Sequence, residues 1–595
     1  MIKGKSLLYF FLLFLTVTIF GFFALKDAFH LTLFGDDWLS FWRYNFHLGP
    51  ESSGQFNYLT YFLTVYGPED MSLGIFEPLF HYNSLPYYIT SFILRILAAL
   101  SLYPLVYYLT KSKLAGITAS LFLSITFIGI ETTNWVFNMP SYLAIITFNA
   151  FLAIFITRNK LTPKSAFLMA IFFYLTFIIQ PIRMTGLPLI IFLTALFWFI
   201  ETRSFSTLKQ ILFRLGILFL AFLCVKYGGQ SLGTSTEMIQ RVLTGISVIT
   251  HELTIGHSSI LMHPFIIIGS LFIPDILWNS ILPFSEGSLF LQIFLPLLLT
   301  YIILILLIYK AIYKKNNNYY FLIANIALAT IWTLLVRLLH KQNLTSFGDP
   351  FQLGASVLGG YFFILTLSLI WRFFGKQQSL PFFLSLIITT FSFLMPWFFG
   401  PTGYFTTSHR YLILTGVGIA IFWASLTSLF IRSKLLYLFI PVLIAVFSLQ
   451  IQSNHTFFSH LVSTRGNNIS DTIWSQLTKE LPDIKKEKYP LVFYFEGDKN
   501  NSSTINEVIT FGFPPHIALI YDIYHDDDRI PIPIVDYKDL QAIVKTGKPL
   551  NAYGRKQQPL PVDHVYAFKL KGKEKIVNIT DNVRSKLTRE IKTSP

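Results

Sequence analysis

Two aspartates stand side by side in FGDDWLSFW, residues 34–42, among Trp38, Phe41 and Trp42. One carboxylate of such a pair can take the proton of an attacking hydroxyl while the other orients it or binds a cation. The same dipeptide also suits a solvated turn within an interfacial aromatic belt. A divalent cation, if the chemistry uses one, would fall on Asp36 and Asp37. A third carboxylate, Glu131, lies in GIETTNWVFNMPSY, 129–142, and Glu69, Asp70 and Glu77 sit between the first two apolar runs. The cations near these acids are few. Arg183 lies in IIQPIRMTGLP, 178–188; Arg337, His340 and Lys341 end an apolar run; His409 and Arg410 open another in TTSHRYLILTGVG, 406–418. The planar fork of arginine binds two phosphate oxygens at once, and the same side chain at a helix end also snorkels to lipid headgroups. Arg95, about ten residues inside an apolar run, should face protein or a water-filled cavity. The acids of HDDDR, 525–529, cannot all turn to one ion without help from elsewhere and suit a solvated turn.

The elements that must position these residues are membrane helices. Of 595 residues 53% are hydrophobic and 17% aromatic, and the mean hydropathy is +0.56, too apolar for a soluble protein of this size. Runs of about 20 apolar residues recur between residues 7 and 451, each long enough to cross a bilayer. They are expected at roughly 7–25, 85–110, 114–130, 140–157, 165–180, 186–201, 209–226, 289–311, 319–338, 355–373, 380–398, 410–431 and 435–451, about thirteen helices in all. The net charge of +15 does not point to nucleic acid. Its excess Lys and Arg gather at every second end of the apolar runs, which is the positive-inside pattern. It places the N-terminus in the cytoplasm and the C-terminus outside, in a multi-pass protein of the cell membrane. The first run, flanked by Lys3 and Lys5 and lacking a small-residue cleavage site, reads as an uncleaved anchor. The stretch 259–278, broken by Pro264, Pro274 and Asp275, is expected to be interfacial or re-entrant. The lone cysteine, Cys224, allows neither an intramolecular disulfide nor a cysteine metal site.

Two domains follow. Residues 1–451 form an all-α polytopic membrane domain with an outer loop, 27–84, that carries the aspartates. Residues 452–595 read as a small α/β domain outside the membrane, with extended apolar segments at 491–498 and 564–570. Every candidate residue named above then falls on one side of the membrane or just within it.

In this order and on this side, the residues resemble the GT-C superfamily of membrane glycosyltransferases, and within it the transmembrane-and-TPR O-mannosyltransferases and their bacterial relatives. In that family a carboxylate pair follows the first helix, as Asp36-Asp37 does. A loop motif of the R-P-L type precedes the second helix, where FEPLFHYN, 76–83, has Glu77 in the place of arginine. An E-x-x-x-W motif follows the third helix, matched by Glu131 and Trp135, and an R-Y-L motif opens a late helix, matched by Arg410, Tyr411 and Leu412. The resemblance covers roughly 7–200 and 400–430, and no TPR repeat is present in the tail. It implies inverting transfer of a sugar from a polyprenyl-phosphate donor to a protein or glycan acceptor. Asp36 would act as base with Asp37 and Glu131 beside it, and Arg410, His409, Arg337 and Arg183 would hold the donor phosphate. A nucleotide-sugar site is not needed, which fits the lack of a glycine-rich phosphate loop. Competing readings are a lipid-linked glycan polymerase or ligase, and a flippase or transporter, which would show paired broken helices and midplane charges.

Overall fold

The computed structural model of the chain describes residues 4–593 except 49–60, 65, 158–159, 229–234, 282–289, 314–318, 342–349, 402, 485, 488–489, 498–500, 524–528, 549 and 551–554. The acids of HDDDR lie outside the described residues. Among those described, ten helices are long and apolar enough to cross a membrane, from Leu8–His30 to Leu436–Arg465. Four shorter apolar helices accompany them: Lys113–Ile125, Pro163–Ile179, Leu187–Thr202 and Ser259–Ser270. The protein is therefore an integral, multi-pass membrane protein with an α-helical bundle. Three of the thirteen expected spans are the first three of these shorter helices. The helix Lys113–Ile125 stops short of its expected end, at Thr126, whose extended backbone begins the turn to Glu131.

The helix Ser259–Ser270 would rise about 18 Å at 1.5 Å per residue, well short of a hydrocarbon core about 30 Å thick. It is buried instead against the helix Pro350–Arg372. A Cβ on Gly269 would meet the Ala355 carbonyl oxygen at 1.8 Å, so the two backbones touch only because Gly269 has no side chain. Broken helices at membrane depth survive where protein covers them, and here Ile266, Ile267 and Ile268 are fully buried.

The last helix, Leu436–Arg465, continues well past residue 451, so the expected domain boundary falls within one continuous rod. Beyond it the tail forms a four-stranded sheet in the order β2-β1-β3-β4, with β1 Val492–Gly497, β2 Ile532–Ile534, β3 Val565–Lys571 and β4 Lys575–Asn578. β1 pairs in parallel with both β2 and β3, and β3 pairs antiparallel with β4. The central strand β1 opens with four consecutive buried residues, the near-continuous apolar run expected when both faces are covered. One face packs on Ile473, Phe513 and Ile517 and the other on Leu540, Ile543 and Leu587.

Candidate active site

At one end of the bundle, residues 36–43, 66–69, 137–138, 180–183 and 410–411 enclose a cavity of about 150 Å³ lined by Asp36, Arg43, Glu69, Asn138, Arg183 and Arg410, among others. Asp36 begins the helix Asp36–Leu48. Leu39 and Arg43 follow on the same helical face, at spacings of three and seven residues, and also line the cavity. Burial raises the Asp36 pKa, against the pull of the Arg410 and Arg43 guanidinium groups.

Asp37, its neighbour, faces away. It is fully buried, accepting the Phe34 backbone N–H on one oxygen at 2.9 Å and the Phe137 N–H on the other at 2.9 Å. It ties the loop before Asp36 to the turn after Glu131. Burial outweighs these hydrogen bonds and lifts its pKa to about 7. Asp37 is fully buried and does not line the cavity that Asp36 faces, so the two carboxylates present no shared cation site there.

Glu131 also holds rather than lines. Its oxygens accept the backbone N–H of Arg410 at 3.3 Å and the Ser408 hydroxyl at 3.3 Å. Its carboxylate lies 3.9 Å from the Arg410 guanidinium. It fixes the start of the helix that carries Arg410, whose guanidinium carbon sits 4.4 Å from the Trp135 ring centroid. Burial raises the Glu131 pKa, with Arg410 opposing. Arg95, deep in its helix, donates to the Ser124 and Thr126 carbonyls and the Thr133 hydroxyl. It thereby supports the turn that bears Glu131.

Arg183 is 3% exposed and donates to the Ser141 hydroxyl and the Asn138 side-chain carbonyl. Its Nε–H, and the side-chain amide nitrogen of Asn138, are buried without a hydrogen-bond partner among the described residues. Burial lowers the Arg183 pKa to about 10, which leaves it cationic at neutral pH. His409 stacks on Phe405 with ring centroids 4.5 Å apart, and its Nδ1 accepts the Tyr411 N–H at 3.3 Å. Burial and the two nearby arginines push its pKa down to about 3. His409 is thus a neutral helix cap outside the cavity lining, and not the cation expected there. Arg337 is exposed on the helix Tyr320–Lys341 and does not line the cavity either.

Of the cavity residues not singled out from the sequence for a role in the site, four carry charged or amide side chains: Arg43, Glu69, Asn138 and Gln180. Arg43 forms a bidentate pair with Asp70, at 2.9 and 2.6 Å, and Tyr61 adds a third bond to Asp70 at 2.6 Å. Glu69 accepts the Gln180 amide at 3.0 Å, and burial raises its pKa to about 7 against the pull of Arg183. The available signals were the position of Arg43 seven residues after Asp36 and the second acidic dipeptide, Glu69-Asp70. Among the described residues, no three His, Cys, Asp or Glu side chains gather as a metal site would require.

The chain matches no protein-family model and no curated protein sequence. Among solved structures it is similar to the crystal structure of ArnT from Cupriavidus metallidurans bound to undecaprenyl phosphate. That similarity has 12% sequence identity over 94% of this chain and 93% of that one, with a TM-score of 0.27. At this level it assigns neither family nor ligand.

Proposed function

We propose that the protein is a membrane glycosyltransferase of the GT-C type. It moves a sugar from a polyprenyl-phosphate donor to an acceptor hydroxyl at the outer face of the cell membrane, with its N-terminus in the cytoplasm and its tail outside. The observation that carries this reading is one small cavity at a helix-bundle end. It holds a half-buried carboxylate, Asp36, together with two arginines, Arg183 and Arg410.

In this reading the acceptor O–H gives its proton to the Asp36 carboxylate as the oxygen attacks the sugar's anomeric carbon. The bond from that carbon to the phosphate oxygen breaks, and its electron pair stays on the phosphate, which Arg410 and Arg183 hold. Backside attack inverts the anomeric centre. The arginines stabilise the charge that develops on the leaving phosphate, and alignment of the two substrates removes much of the entropic barrier. Because the donor's lipid stays in the bilayer, its phosphate sits at headgroup depth, where apolar helices give way to polar turns.

The test is purified protein in detergent or liposomes with radiolabelled polyprenyl-phosphate sugars and a panel of peptide and glycan acceptors. Transfer that needs the lipid phosphate and is lost in Asp36→Asn supports the reading. Donor movement across a sealed bilayer without bond cleavage would replace it with a flippase.

A further inference from the structure

The helix that presents Asp36 has two working faces, and the second belongs to the tail. Asp36, Leu39 and Arg43 face the cavity. Trp38 and Trp42, roughly a quarter to a third of a turn round the helix, face the domain beyond residue 465. The Trp38 ring stacks on His516 with centroids 3.6 Å apart and 7° between planes. The Trp42 indole N–H donates to the Ile523 carbonyl at 2.8 Å. His516 lies in the tail helix Phe513–Ile520.

The loop before Asp36 is held more closely still. Gly35 has φ of +52°, and a Cβ there would come within 1.8 Å of the Phe511 ring. Gly512 has φ of +91°, and its own Cβ would meet the Gly35 Cα at 2.9 Å. Two backbones in the left-handed region thus cross with no side chain between them, which glycine alone permits without strain. Phe34 is gripped on both sides in sequence. Phe511 packs against it at 5.0 Å between centroids, and the Arg465 guanidinium carbon lies 4.0 Å from its ring centroid. Arg465 is itself fully buried and donates to the Thr32 carbonyl and the Asn134 side chain.

Phe511 reaches the phosphate side of the cavity as well. It stacks on Trp135, centroids 5.8 Å apart and 23° between planes. The same indole carries the Arg410 guanidinium. One tail side chain therefore touches the residue before Asp36 and the ring beneath Arg410.

From this we infer that Phe511 is a positioning residue that sets the spacing of Asp36 and Arg410, and that the tail is a working part of the site. The inference rests on the glycosyltransferase reading for its chemistry. Its geometry does not depend on that reading. Misplacing a base by about 1 Å costs on the order of 10²-fold in rate, and a ring that holds two reacting groups apart controls such a displacement.

Phe511 suits a test because it is 43% exposed. Its truncation leaves the tail core, of which it is not a member, intact. Leu540→Ala serves as the control, because Leu540 is wholly buried in the tail core and touches nothing at the interface. Turnover, donor KM and hydrogen–deuterium exchange of residues 34–48 are measured in full-length protein. Phe511→Ala is expected to lower kcat about 10²-fold and to speed exchange in 34–48. Phe511→Tyr is expected to recover most of both. Leu540→Ala is expected to lose thermal stability at least as great with neither effect. Phe511→Ala matching wild type in exchange, or matching Leu540→Ala in both readouts, overturns the inference. If wild type transfers no sugar from any polyprenyl-phosphate donor, the glycosyltransferase reading fails. The exchange comparison then decides the positioning role by itself.

Discussion

Two arginines at the same end of the bundle, Arg410 and Arg337, look alike in the sequence and have different surroundings. Arg410 opens the segment Arg410–Arg432, whose best apolar window is 100% buried inside the protein, whereas Tyr320–Leu339, carrying Arg337, is 22% buried. A helix surrounded by protein delivers its end residue into a junction of turns, where Glu131, Trp135 and Asp36 gather. A helix that faces lipid on most sides delivers its end residue to the membrane surface. Packing around the helix thus decides whether a cation near its end lies in a protein-lined cavity or at an exposed surface, whereas the sequence marks each only as a cation near the end of an apolar run.

The largest expected effect sharpens that contrast from the other side of the cavity. Asp36→Asn removes the proposed base and should lower kcat about 10²–10⁴-fold with the thermal unfolding midpoint little changed. Near-full turnover in a transfer assay would assign the base elsewhere, Glu69 first.

Next come the arginines themselves. Arg410→Ala should raise the donor requirement and lower turnover about 10²-fold or more. Arg410→Lys should recover only part, because lysine offers a point charge in place of a fork. Arg337→Ala should stay within a factor of about three of wild type, since it lies outside the cavity and away from any developing charge. Equal losses at the two arginines in donor titrations would erase the distinction drawn above.

Asp37→Ala tests the holding role of the second aspartate. It leaves the Phe34 and Phe137 N–H groups buried without an acceptor, at a cost of about 1–3 kcal/mol for each. A loss of about 2 kcal/mol or more in denaturant unfolding is expected, with activity falling alongside it. Unchanged stability would mean those donors find water. Because the folded-state pKa is raised to about 7 above the ordinary aspartate value near 3.9, the folded state binds the extra proton. The Asp37 contribution to stability therefore declines as pH rises from about 4 to about 7.

The smallest effect concerns Glu69, which faces the same cavity and has a pKa raised to about 7. As pH rises through that value a negative charge appears beside Arg183. Donor affinity should fall a few-fold between pH 6 and pH 8, and the fall should vanish in Glu69→Gln. A donor Kd that stays flat across this range in wild type would remove Glu69 from the phosphate's surroundings.

How much of the site was legible follows from how each residue is used. Asp36 and Arg410 could be found because each opens a helix just after an apolar run, where few charged residues occur. Asp37 looked equivalent to Asp36, and no sequence rule separates adjacent residues on a helix until the neighbouring turn is in place. Glu131 was visible as an acid in a short connection, but its hydrogen bonds to Ser408 and Arg410 join positions about 280 residues apart. Arg43 and Glu69 were masked by a loop whose acids and aromatics suited an ordinary membrane interface equally well.

The sequence by itself determined that this chain enters a membrane many times and gathers its polar turns by alternation. Hydropathy and charge act locally: each apolar run must bury its own backbone hydrogen bonds as a helix, and each basic flank sets its own side. Only the tertiary structure decided which polar groups share a cavity, which of two adjacent aspartates faces it, and that a phenylalanine near residue 510 touches both halves of the site. Those outcomes depend on side-chain packing between segments hundreds of residues apart, and packing of that kind leaves no periodic signal in the chain.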